Sequence, residues 1–181
     1  ELDCQGSGKY LGNGSSNNGT GTTKFTGAAK FKTSNNNTSF GKLEIDSGTT
    51  LTVDTTSSNV EFNVTKDCKN EGTLALMGTN AATVNFSGNV DFSNGSLTGN
   101  KWKAVFKGTT AQTCTLKTGT DYSFESLECT NTMGLTVNDT TGTLKLTTLK
   151  LSSGGKAEFN CPVEAVKVEC PAGAGNSTFQ K

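Results

Sequence analysis

Apolar residues recur at every second position in short runs along the chain: Leu43-Glu44-Ile45, Leu51-Thr52-Val53, Val60-Glu61-Phe62, Leu135-Thr136-Val137 and Leu144-Lys145-Leu146 are the clearest. A period of two is that of a β-strand with one buried face. Gly, Asn, Asp or Ser bounds each run, as turn chemistry requires. On this pattern strands are predicted at 24–26, 30–33, 42–46, 50–54, 60–65, 73–77, 83–87, 90–93, 96–98, 103–107, 113–117, 123–130, 135–138, 143–151, 157–161 and 163–170. No stretch keeps a helical period of 3.6, so the chain is read as all-β.

The runs repeat. Ser39-Phe40 through Leu43, Val53 and Phe62 aligns without gaps on Ser123-Phe124 through Leu127, Val137 and Leu146 at an offset of 84 residues. Leu76 through Leu97 aligns on Phe106 through Leu127 at an offset of 30. Repeated short strands without helices point to a solenoid, because each unit buries its apolar edge only by stacking on the next. Read as four coils, the longer offset gives a parallel β-helix of about 21 residues per coil, a span usual for such repeats. A β-sandwich or jelly roll of antiparallel hairpins is the alternative. In either architecture Leu43, Ile45, Leu51, Val53, Val60, Phe62, Leu127, Cys129, Leu135, Val137, Leu144 and Leu146 face the core, and Glu44, Thr52, Glu61, Glu128, Thr136 and Lys145 face outward.

At 181 residues the chain is one domain's worth, and only 31% of it is hydrophobic. A thin core suits stacked coils better than a thick sandwich. Residues 1–23 are poor in apolar content and are read as a polar Gly/Asn/Ser-rich leader or cap, 24–170 as the solenoid and 171–181 as a C-terminal tail. Six cysteines suggest an oxidising compartment. The expected pairs are Cys114 with Cys129, Cys161 with Cys170, and Cys4 with Cys68.

Charge narrows the function further. Sixteen acidic residues balance sixteen basic ones, every base is Lys, and there is no His. Without Arg or a net positive field, a nucleic-acid partner is not expected. Without His, Ser-His and Cys-His nucleophilic machinery cannot be assembled within the chain, and the usual transition-metal ligand is missing. No catalytic, cofactor-binding or metal-binding residue is assigned. The candidate carboxylates for glycoside chemistry are Glu44 with Glu128 and Asp46 with Asp54. Four coils would set the first pair about 19 Å apart, too far for joint acid and base work. Asp46-Ser47-Gly48 and Asn138-Asp139 lack the dense oxygen spacing of a calcium loop. Thr113-Cys114-Thr115 and Thr130-Asn131-Thr132 do not recur at one coil length, so an ice-binding lattice has little support. Trp102 is the only Trp. It is read as a packing residue, and with Tyr122 it is the candidate lining of a sugar groove in the carbohydrate alternative.

Phe106-Lys107-Gly108-Thr109-Thr110-Ala111-Gln112-Thr113, the step to Leu127, then Gly134-Leu135-Thr136-Val137 and Gly142-Thr143-Leu144-Lys145-Leu146 resemble the repeats of secreted bacterial β-helix surface proteins, adhesin-like and autotransporter-passenger-like. The resemblance covers roughly residues 23–160. It implies a right-handed parallel β-helix outside the cell with attachment or scaffolding roles; separately, no apolar run approaches membrane-spanning length, so no membrane span is expected. The expected function is a non-catalytic extracellular protein, a surface adhesin module or self-assembling filament subunit, associating head to tail or with a host or glycan surface. A carbohydrate-binding or polysaccharide-cleaving β-helix is the alternative. Residue Glu1 is read either as a mature terminus left after export or as an arbitrary boundary of the chain.

Overall fold

The protein, in a computed structural model, is an all-β parallel solenoid of about six turns and about 22 residues per turn. Residues 21–32, 38–139, 141–152 and 154–170 are described in full, and the strands Leu2–Cys4, Lys9–Leu11 and Thr178–Gln180 by their backbone. Two of those strands fall in the expected leader. Leu2–Cys4 pairs with Thr23–Phe25 and Lys9–Leu11 with Lys30–Lys32.

Among the described residues, strands stack on three faces. The first face has nine strands, including Thr22–Phe25, Lys42–Ile45, Cys68–Asn70, Gln112–Thr115, Leu135–Asn138 and Lys156–Asn160. The second has five, ending at Ser96–Thr98, and the third seven, running from Thr38–Phe40 to Val163–Glu169. Every pairing among them is parallel, which excludes the sandwich of hairpins. One coil spans between 19 residues, from Leu144 to Val163, and 25, from Leu43 to Cys68.

The 84-residue offset is not a coil register. Leu43 lies on the first face and Leu127 on the third, while Val53 lies on the second and Val137 on the first. The 30-residue offset fails in the same way, since Leu97 is on the second face and Leu127 on the third. Alternation looks the same on every face, so alignment by apolar spacing matches strands irrespective of the side they occupy.

Burial follows the predicted phase. All twelve expected inward residues are at most 3% exposed, and all six outward ones reach the surface. One inner row climbs the first face as Leu43, Cys68, Val90, Cys114, Val137 and Phe159. Asp and Asn side chains close the corners. The Thr56 amide and hydroxyl donate to Asp54 Oδ1 at 3.0 and 2.6 Å, and Ser93 caps Asp91 at the same two distances. At Gly72 and Gly155 a Cβ would strike backbone carbonyls of the neighbouring coil, so these corners admit only glycine.

Candidate functional site

From Tyr122 onward the third face changes. Tyr122–Cys129 and Leu144–Leu151 are eight residues long, and with Val163–Glu169 they pair on both sides of one skipped residue: Glu125, Thr147 and Val166 respectively. Each skipped residue shifts the alternation by one, so the inward spacing becomes two, three, two: Tyr122, Phe124, Leu127, Cys129, then Leu144, Leu146, Leu149, Leu151. The strand bends there. An open groove of about 690 Å³ crosses the bend, with Phe124 and Leu146 among its lining and Lys101, Glu125, Lys145 and Glu164 as its charged groups. Lys103 Nζ is 3.2 Å and Lys101 Nζ 3.9 Å from Glu125, and Lys145 Nζ is 2.6 Å from Asp121, so three of those charges are already paired.

Below the bend, buried polar groups bind successive coils. Gln112 Nε2 donates to the Phe86 and Gly88 carbonyls at 3.2 and 2.6 Å, while its Oε1 accepts from Gly108 N and Asn131 Nδ2 at 2.8 and 2.9 Å. Asn131 Oδ1 accepts from Met133 N at 2.8 Å. Among the described residues no buried side-chain nitrogen or oxygen lacks a partner.

The candidate residues are not brought together. Glu44 sits on the first face and Glu128 on the third, each paired with a lysine: Lys42 at 2.7 Å and Lys150 at 3.0 Å. Asp46 pairs with Lys24 at 3.0 Å and Asp54 with Lys30 at 3.1 Å. The Thr56 hydroxyl and amide, with the Lys30 ammonium, hold the Asp54 carboxyl down at about 2. Trp102 and Tyr122 are 1% and 2% exposed, so neither lines a sugar groove. Trp102 Nε1 donates to the Thr98 carbonyl at 2.9 Å and the Tyr122 hydroxyl to the Gly95 carbonyl at 3.0 Å.

The cysteine pairings are corrected as well. Cys68, Cys114, Cys129, Cys161 and Cys170 are free thiols, and the Cys4 side chain lies outside the described residues. Coil geometry explains it: Cys114 is on the first face and Cys129 on the third, while Cys4 belongs to the row of Phe25, Ile45 and Asn70 rather than that of Cys68. Burial raises the Cys68 thiol and pushes Cys114 up to about 12, so both are unreactive.

Among the described residues, Val163–Glu169 is the outermost strand of the third face and its most unusual feature. Val163–Glu169 pairs with Leu144–Leu151 on one side, and its other edge carries no strand among the described residues. Val168 stands above Leu149 in the inward row yet is 57% exposed, and Val166 is 86% exposed. These are two of the three large hydrophobic side chains exposed among the described residues. The alternating run was legible as a strand; the exposure of its valines was not.

Among the described residues no helix is long and apolar enough to cross a membrane, and no three His, Cys, Asp or Glu side chains converge as a metal site. No family model, curated protein or solved structure matches this chain; the likeness to bacterial β-helix surface proteins therefore holds at the level of the parallel β-solenoid alone.

Proposed function

We propose that this chain is a non-catalytic structural rod acting outside the cell, as an adhesive surface module or a filament subunit. The observation that carries the reading is the continuous inner stack beneath faces on which many acidic groups are tied to lysines. Ladders that pass coil to coil give stiffness and length, while Glu44, Asp46, Asp54 and Glu128 are each committed to an ion pair. Because the described thiols are free, cysteine content does not argue for an oxidising compartment, and the extracellular placement rests on the resemblance. Negative-stain electron microscopy over a concentration series tests the reading. Stiff rods or fibres, indifferent to reductant, are expected; collapsed or irregular particles would overturn it.

The bend groove favours one second reading, carbohydrate binding, with the Phe124 ring as platform and Lys101, Ser123 and Glu125 as polar contacts. A glycan array on wild type and Phe124→Ala separates the two. Saturable binding lost in the variant supports the carbohydrate role, and an empty array supports the structural one.

A further inference from the structure

We propose that the boundary between the coil of Trp102–Phe106 and the coil of Tyr122–Cys129 is the yield point of the rod, opening as a local event before either half unfolds and baring two buried thiols, Cys114 and Cys129.

In a solenoid each coil touches only its neighbours, so stability is a sum of coil terms and interface terms, and the weakest interface parts first. The ladders identify that interface. On its N-terminal side three faces join successive coils: Cys68 and Lys69 pair with Val90 and Asp91, residues 73–75 with Ser96–Thr98, and Ala82–Phe86 with Trp102–Phe106. On its C-terminal side two faces suffice because their ladders are long. Gln112–Thr115 pairs with Leu135–Asn138, and Tyr122–Cys129 with Leu144–Leu151 on both sides of the bend. At the boundary itself the second face has ended and the longer ladder has not begun. Val90 and Asp91 pair with Cys114 and Thr115, and residues 103–106 with 126–129; among the described residues no third ladder crosses, and residues 122–125 have no strand partner on that side.

A void lies at the same place. An apolar cavity of about 20 Å³ spans the boundary, with Leu97, Trp102 and Phe106 lining it from one coil and Cys114, Leu116 and Phe124 from the next. Side chains around a void lose the dispersion contacts that a filled core supplies. Side-chain straps compensate. Gln112 Nε2 reaches back to the Phe86 and Gly88 carbonyls, and the Tyr122 hydroxyl to the Gly95 carbonyl at 3.0 Å. Trp102 is not a strap, because its Nε1 bonds Thr98 within its own coil.

Opening separates Val90 from Cys114 and Phe106 from Cys129. Cys68 is equally buried and lies in the same inner row as Cys114, two coils earlier, where this opening does not reach. In a rod under tension this boundary is where extension begins, a use that rests on the structural reading above; the opening itself does not.

Alkylation of the full chain by iodoacetamide under native conditions, followed cysteine by cysteine with peptide mass spectrometry, tests the proposal. Cys114 and Cys129 are expected to react about tenfold faster than Cys68, or more. Tyr122→Phe removes one strap while keeping the ring, and is expected to speed both reactions about tenfold further with Cys68 unchanged. Equal rates at the three thiols, the mark of a rod that opens only as a whole, would overturn the proposal, as would a Tyr122→Phe variant that speeds Cys68 as much as Cys114. Either failure would leave stiff rods in the electron microscope, and the structural reading with them, standing.

Discussion

Up to Thr98 a coil is built from three separate strands, whereas from Tyr122 the third-face strands lengthen to eight residues and bend. The cores differ accordingly. Phe25, Phe31, Phe40 and Phe62 fill the early coils as one aromatic cluster, with ring centroids 5.2 to 6.4 Å apart in mostly edge-on contacts. Later rows are filled by Leu135, Leu144, Leu146, Leu149 and Leu151, with Cys129. Where the second face ends, Trp102 and Tyr122 hydrogen-bond carbonyls that flank its outermost described strand, those of Thr98 and Gly95. A solenoid can change its cross-section midway if the junction is sealed by large side chains that also hydrogen-bond.

The largest expected effect therefore falls on the junction. Trp102→Ala should cost about 3–5 kcal/mol by cavity formation and strand the Thr98 carbonyl, read as the midpoint of urea unfolding. Trp102→Phe should recover most of it, because the apolar body matters more than one hydrogen bond. If the two halves unfold independently, Trp102→Ala will split the transition in two; a single shifted transition would show that they are coupled through the junction. Next comes Gln112→Leu, which leaves Gly108 N, the Gly88 carbonyl and Asn131 Nδ2 each short of a partner. A loss of about 2–3 kcal/mol is expected from those stranded groups. Hydrogen exchange should then rise at Gly108 before it rises in the early coils.

Which residues point inward was legible because a period of two is written directly into the strands, and Leu43 through Phe62 and Leu127 through Leu146 followed it. Which face they belong to was not, since Leu43 and Leu127 alternate identically on different sides. Face is set at the corners, and there a signal existed. Asp54-Thr-Thr56, Asp91-Phe-Ser93 and Asn70-Glu-Gly72 each place Asp or Asn two residues before a hydroxyl or glycine that caps it. The bend was also visible, as two-three-two apolar spacing in Tyr-Ser-Phe-Glu-Ser-Leu-Glu-Cys. Cys68–Asn70 lacks legible apolar alternation because its core row continues through a buried Asn70, tolerated only because the Ser96 carbonyl takes its amide at 2.9 Å.

Electrostatics should separate the halves least. In the early coils Asp54 is 7% exposed and its pKa is depressed from 3.8 to about 2. A depressed carboxyl contributes stability that is present above pH 4 and lost as pH falls through 4 toward 2. Asp54→Asn should thus be less stable than wild type at pH 7, by about 1 kcal/mol after allowing for screening of the partly exposed Lys30, and indistinguishable from it near pH 2. Asp91, held down by Ser93, adds acid sensitivity of the same sign. In the later coils the corresponding contact is Lys145 with Asp121 at 2.6 Å, and both side chains are about half exposed. Solvent screens that pair, and holding two long side chains in one geometry offsets what attraction remains. Lys145→Ala should leave the thermal midpoint unmoved at physiological salt. A clear drop that added salt abolishes would show instead that the bent half depends on its surface charges as the early half depends on its corners.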